Sequence, residues 1–196
     1  MIKKIILATT IFFTSAQAND VSEAYSIVND SWGYHENIPT IAITSVLLAG
    51  LVEGNESRFG KTVWKSIDSL AIGGVITQVG KYSFGRVRPY QETEELKGWF
   101  NPGHHSFPSG HTSSITSIVT PFIFEYAEDE PLIHLLWLLP AQQMFGRVND
   151  ERHHVTDVIA GFGVGLLSGW IASDLETPLT LSWKKDGIYA GLNWEF

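Results

Sequence analysis

With 196 residues, 44 % of them hydrophobic, the chain is long enough for one packed core; lacking cysteine, it must hold that core without disulfides. Thiolate catalysis and thiolate metal sites are excluded on the same ground. Its 21 Asp and Glu against 13 Lys and Arg give a formal net charge of −8, which argues against a broad nucleic-acid footprint and makes the placement of each cation informative.

Met1-Ile2-Lys3-Lys4 is a basic start, Ile5 to Phe13 is an apolar run too short to cross a bilayer, and Ala16-Gln17-Ala18 is a small-residue cleavage pattern. Residues 1–18 therefore read as a cleavable signal for export to a bacterial periplasm, and 19–196 as a single domain. Asn19 to Asn37 is mixed and polar and reads as a short helix and a loop, with His35 as a surface or capping residue. Five apolar runs follow. They are Ile38–Val52, with Pro39 suited to a first helical turn, and Lys61–Tyr82, with Ile67, Leu70, Ala71 and Val75 at helical spacing. Next come Ile115–Tyr126, where Pro121 predicts a kink or a break, and Leu132–Phe145, which contains Pro140. The last and longest is Val155–Ser173. In it Gly161, Gly165 and Gly169 recur every fourth residue, a stripe that allows close helix approach. Gly163 to Ser168 lacks the third glycine of a dinucleotide fingerprint and no strand precedes it. At the end of the chain, Leu179–Trp183 and Ile188–Phe196 alternate about Lys184-Lys185-Asp186-Gly187, which predicts a hairpin over about 179–196.

The expected fold is all-α: a bundle of about five core helices with a short C-terminal β-hairpin. Ile38–Val52 is too short to be a secure membrane span, and Val155–Ser173 carries Asp157. The mean hydropathy of +0.04 suits a buried globular core. Membrane association stays open at this level, as does the oligomeric state.

Three polar stretches interrupt these runs. Phe107-Pro108-Ser109-Gly110-His111-Thr112 joins a Pro/Gly turn to the start of a helical run. Free N–H groups at a helix start attract anions, and glycine lets backbone approach a ligand closely. His111 beside it has the ordinary pKa for proton transfer near neutrality. In Lys81-Tyr82-Ser83-Phe84-Gly85-Arg86-Val87-Arg88-Pro89, Lys81 and Arg88 are two helical turns apart. Pro89 disfavours helix at Arg88, so Arg88 reaches from the element's end. Arg86 reads as an ordinary basic helix end. In Gly146-Arg147 through His153-His154 to Asp157, His153 and Asp157 stand four apart at a helix start. A carboxylate there can take the Nδ1–H and leave Nε2 free as a nucleophile; an ordinary i,i+4 pair is the alternative. His154 reads as structural. His104-His105 reads as loop polarity or the rim of a pocket, and the sequence offers no convincing metal-ligand set.

Together these stretches resemble the type 2 phosphatidic acid phosphatase family, which also takes in bacterial acid phosphatases and vanadium haloperoxidases. The family signature is a lysine, six residues and Arg-Pro; then Pro-Ser-Gly-His; then Ser-Arg, five residues, His, three residues and Asp. Lys81 with Arg88-Pro89, Pro108 to His111, and Arg147, His153 and Asp157 match it in order, with Gly146 standing in place of the serine. The resemblance implies phosphoryl binding by Lys81, Arg88, Arg147, Ser109 and the Gly110 N–H. It implies attack by His153, orientation of His153 by Asp157 and protonation of the leaving group by His111. No metal or other cofactor is implied. The expected activity is hydrolysis of a phosphomonoester or pyrophosphate, of a lipid or small molecule, through a phosphohistidine. A broad-specificity soluble acid phosphatase is the alternative. A vanadate-dependent haloperoxidase and a non-catalytic phosphate- or lipid-binding protein are more remote.

Overall fold

The computed structural model describes residues 36–174, together with the backbone of 179–184 and 187–192. By internal contacts the chain divides into Met1–Tyr34 and His35–Phe196. The export signal and His35 fall outside the described residues. Among the described residues there are five α-helices: α1 Ile38–Glu53, α2 Arg58–Phe84, α3 Gly110–Tyr126, α4 Leu138–Asn149 and α5 Val155–Asp174. Short 3₁₀ turns occupy Pro89–Gln91 and Pro131–Trp137. Of the expected C-terminal hairpin, the backbone of Leu179–Lys184 and Gly187–Leu192 runs antiparallel with Leu179 opposite Leu192. Its turn residues Lys185 and Asp186, and 193–196, lie outside the described residues, so the hairpin remains an expectation.

Local chemistry explains most of the boundaries. Pro39 sits in the first turn of α1, where its missing N–H costs nothing. Ser57 caps α2, its Oγ accepting from the Gly60 N–H at 2.9 Å. Gly85 ends α2 with φ +46, the left-handed conformation that glycine adopts most readily, and its N–H bonds the Lys81 carbonyl. The fourth apolar run departs from expectation. Pro131–Trp137 is a 3₁₀ turn and α4 begins only at Leu138, which brings Pro140 into its first turn and away from the helix interior. Helix α3 begins earlier than the apolar run does, at Gly110, and passes through Pro121 without ending.

Helices α2, α3 and α5 form the centre, and their contacts are small and polar. A Cβ on Gly161 would lie 2.5 Å from the Ser109 carbonyl oxygen, one on Gly165 2.8 Å from that of Ser113, and one on Gly169 2.5 Å from Thr120 Cβ. The glycine stripe thus lets α5 lie directly on α3. Hydroxyls fill what remains: Thr77 with Ser113 at 2.9 Å, Ser117 with Ser168 at 2.8 Å, Ser69 with Ser168 at 3.2 Å. A conventional apolar cluster of Val46, Val63 and Ile118, flanked by Phe59 and Phe122, joins α1 to this centre. Arg58 closes the far end, binding Glu125 at 2.7 Å and Asp129 at 2.5 Å across α2 and α3.

Candidate active site

The three polar stretches meet at one end of the α2–α3–α5 core. Lys81 is in the last turn of α2. Beyond the Gly85 cap the chain is extended, and Arg88 precedes Pro89 with φ −81 and ψ 151, the conformation proline imposes on its predecessor. Ser109 sits at the start of α3 and donates its N–H to the Asp157 carbonyl at 2.9 Å, tying that helix start to the first turn of α5. Gly110 opens α3, so the N–H groups of its first turn have no acceptor within the helix. A Cβ on Gly110 would be 3.7 Å from Lys81 Cε. The Ser109 hydroxyl itself is buried and accepts from Thr112 Oγ1 at 3.1 Å.

Asp157 is fully buried yet richly bonded. Its carboxylate accepts from Ser106 Oγ at 2.5 Å, from Arg86 Nη1 at 2.5 Å and from the His154 N–H at 3.0 Å. The last bond is a helix residue reaching back to cap its own N-terminus. His153 Nδ1 lies 3.6 Å from Asp157 Oδ2 and 3.4 Å from Ser106 Oγ. Ser106 therefore bridges the imidazole and the carboxylate. Burial would raise the Asp157 pKa, but these bonds outweigh it and hold it at about 2. Burial lowers the His153 pKa against the pull of Asp157, which keeps the ring neutral.

The facing side is cationic and open. Lys81 donates Nζ to the His105 carbonyl at 2.7 Å, and burial with the neighbouring Arg88 and Arg147 brings its pKa down to about 8. Burial, then Arg147 and His153, lower the His111 pKa to about 4. Burial also lowers the Arg147 pKa. Neither the Arg88 nor the His111 side chain has a hydrogen-bond partner among the described residues. A cavity of about 270 Å³ is lined by Lys81, Gly110 and His111 together with Pro39, Ile43 and Gly74.

Two site residues escape sequence reasoning. Arg86 is no ordinary helix end: it grips Asp157 and Thr156, and its guanidinium stacks 4.4 Å over the Trp99 ring. Ser106 lies just outside the Pro108-to-His111 motif, and nothing in its spacing marks it. His154 is structural as expected, its Nε2 3.1 Å from the Val87 carbonyl oxygen. Phe107 packs edge-on against Phe84 and Trp99 at 5.1 and 5.0 Å, within an aromatic cluster. Among the described residues no group of His, Asp or Glu has the arrangement of a metal site.

Residues 62–179 match the PAP2 superfamily, and the chain belongs to it. Over 153 residues it is 29 % identical to a lipid A 1-phosphatase of Porphyromonas gingivalis, covering 72 % of this chain and 32 % of that protein. The chain thus spans about a third of the length of that relative. Two solved structures share the fold. LpxE of Aquifex aeolicus superposes with a TM-score of 0.56 at 21 % identity, covering 82 % of this chain and 98 % of the other. The transmembrane PAP2-type phosphatidylglycerolphosphate phosphatase of Bacillus subtilis gives 0.56 at 17 % identity, over 89 % and 94 %.

Proposed function

We propose that the protein is a phosphatase that hydrolyses a lipid phosphomonoester through a phosphohistidine. The observation that carries this is the pairing of an oriented, neutral, buried imidazole with an open cationic site. His153 is set by Asp157 and Ser106, while the side chains of Arg88 and His111 have no hydrogen-bond partner among the described residues. A pure phosphate binder has no need of the first half. Lys81, Arg88, Arg147, Ser109 and the Gly110 N–H would hold the phosphoryl oxygens. Nε2 of His153 would attack phosphorus in line, the P–O bond to the leaving group would break, and His111 would deliver a proton to the departing oxygen. Water, activated by the now neutral His111, would then cleave the P–N bond and restore His153. Positioning and charge stabilisation account for most of the acceleration in such a reaction. With three cations and a helix start, the site supplies that charge from the chain itself.

The lipid part of the proposal rests on the cavity, whose lining includes Pro39, Ile43 and Gly74, and on the relative that acts on lipid A. Exposed apolar side chains support membrane association: Leu47, Leu48 and Leu51 on α1, Val75 and Val79 on α2, Ile159 and Trp170 on α5. Val155–Asp174 is long and apolar enough to cross a bilayer, but its glycine face belongs to the α3 contact. We infer export by a cleaved 1–18 signal and a single domain over 19–196 that ends in the 179–196 hairpin.

The test is phosphate release by purified protein from a short-chain lipid monophosphate in detergent, with and without excess chelator. Turnover that survives chelation and leaves acid-labile phosphate on the protein after rapid quenching is expected. No turnover, or turnover restored only by added Mg²⁺ or Zn²⁺, overturns the reading.

A further inference from the structure

Arg147 belongs to the cationic half of the site, and its side chain is almost wholly buried. Its Nη1 lies 3.4 Å from Glu36 Oε1, its one side-chain hydrogen bond among the described residues, and its Nε has no partner. The same Glu36 oxygen is 3.8 Å from Arg152 Nη2. Glu36 is half exposed, and it stands just before α1, whose Pro39 and Thr40 line the cavity that holds Lys81 and His111. A carboxylate therefore sits on a guanidinium that the proposed reaction assigns to the phosphoryl group, just before a helix whose first turn lines that cavity.

We propose that Glu36 is a specificity-determining residue: its carboxylate competes with the phosphoryl group for Arg147 and selects monophosphate esters over diphosphates. The inference rests on the phosphatase reading above. An arriving phosphoryl group, with more charge and more acceptor oxygens, takes Arg147. The displaced carboxylate stays beside Arg152, because its backbone is fixed at the start of α1. It then faces whatever is attached to the phosphoryl group. A hydroxyl or an alkyl chain there is tolerated; a second phosphate meets a like charge in a partly desolvated setting, where repulsion is weakly screened. An ordinary surface ion pair would be worth almost nothing and would leave Glu36→Gln like wild type in both binding and selection.

Full-length wild type, Glu36→Gln and Glu36→Asp are compared in one detergent. Titration calorimetry with inorganic phosphate and with pyrophosphate reads the competition without turnover. Turnover of an alkyl monophosphate and of the alkyl diphosphate of equal chain length reads the selection. Glu36→Gln should bind phosphate about 3–10-fold tighter and pyrophosphate tighter still, and its monophosphate preference in kcat/KM should fall about tenfold. Glu36→Asp should lie near wild type. Unchanged or weaker phosphate binding in Glu36→Gln overturns the proposal, as does an unchanged ratio between the two ligands or substrates. A wild type that binds phosphate but turns over neither ester refutes the phosphatase reading instead, and the two binding ratios still decide the role of Glu36.

Discussion

The two halves of the site follow opposite rules. Around Asp157 three donors converge on one buried carboxylate, from Arg86, Ser106 and the His154 N–H, and His153 is held against it. In the cationic half, the side chains of Arg88 and His111 have no hydrogen-bond partner among the described residues, and that of Arg147 has only a half-exposed glutamate. The first half is organised before any substrate arrives, which is where a nucleophile benefits most, since no reorganisation is then needed during the reaction. In the proposed reaction the second half supplies the donors and the positive charge that hold the phosphoryl group.

The harshest way to break the comparison is to remove the atom the organised half exists to hold. His153→Ala should lower turnover by about 10⁴-fold or more. Vanadate affinity should stay within a few-fold of wild type, because the open half is intact. Steady-state kinetics and vanadate inhibition check both; substantial residual activity would mean that another group attacks phosphorus.

Next in size comes His111. Its pKa of about 4 in the ligand-free site makes it neutral at pH 6. A phosphoryl dianion beside it favours the charged form, so binding should take up a proton between about pH 4 and the ordinary histidine range. Calorimetry of phosphate binding in buffers of different ionisation enthalpy measures that uptake, which His111→Ala should abolish. The same variant should cost about 10²–10⁴-fold on an alkyl phosphate, and much less on p-nitrophenyl phosphate, whose leaving group needs no proton. Equal losses on both, with no trapped phosphohistidine in burst kinetics, would remove His111 from the role of acid.

The supporting residues should give smaller effects confined to the organised half. Ser106→Ala should lower kcat about tenfold, in keeping with one lost buried hydrogen bond. Arg86→Gln should lower it about 10²-fold, because it strips the buried Asp157 of its counter-charge. In both, KM and phosphate affinity should hold within about twofold. A change in KM without one in kcat would place these residues in the binding half.

Helix-scale features and motif positions were legible in the sequence because their causes are local. The stripe of Gly161, Gly165 and Gly169 signals a close helix contact, and the structure puts Ser109, Ser113 and Thr120 against it. Pro89 holds Arg88 in extended backbone, although the helix itself ends earlier, at the Gly85 cap. What stayed hidden depends on partners far away in sequence. Gly110 to Ser114 looks too polar for a buried helix start, yet the Ser113 hydroxyl bonds Thr77 and the Thr112 hydroxyl bonds Ser109. Tertiary burial there overrides local preference. Arg86 resembles any basic residue near a helix end until α5 brings Asp157 to it, 71 residues on. Phe107, legible as apolar, gave no sign that Phe84 and Trp99 would enclose it.

The smallest expected effect concerns a second buried carboxylate. Asp68 on α2 is only 2 % exposed, much as Asp157 is, but its Oδ2 has no hydrogen-bond partner among the described residues. Burial pushes its pKa up to about 7, whereas the bonds on Asp157 hold that group at about 2. The two should therefore oppose each other in stability. Asp157 binds its proton less readily folded than unfolded, so its contribution is present above about pH 4 and is lost as pH falls toward 2. Asp68 binds its proton more readily folded, so stability falls as pH rises from about 4 to about 7 and is level beyond. Asp68→Asn keeps the shape and removes the ionisation. It should raise stability by about 1–2 kcal/mol at pH 8 and leave it nearly unchanged at pH 4.5. Turnover should not respond, since Asp68 touches neither half of the site. Denaturant midpoints at the two pH values make the measurement. An equal effect at both would mean that Asp68 is paired when charged, and that burial alone does not decide the fate of a carboxylate in this core.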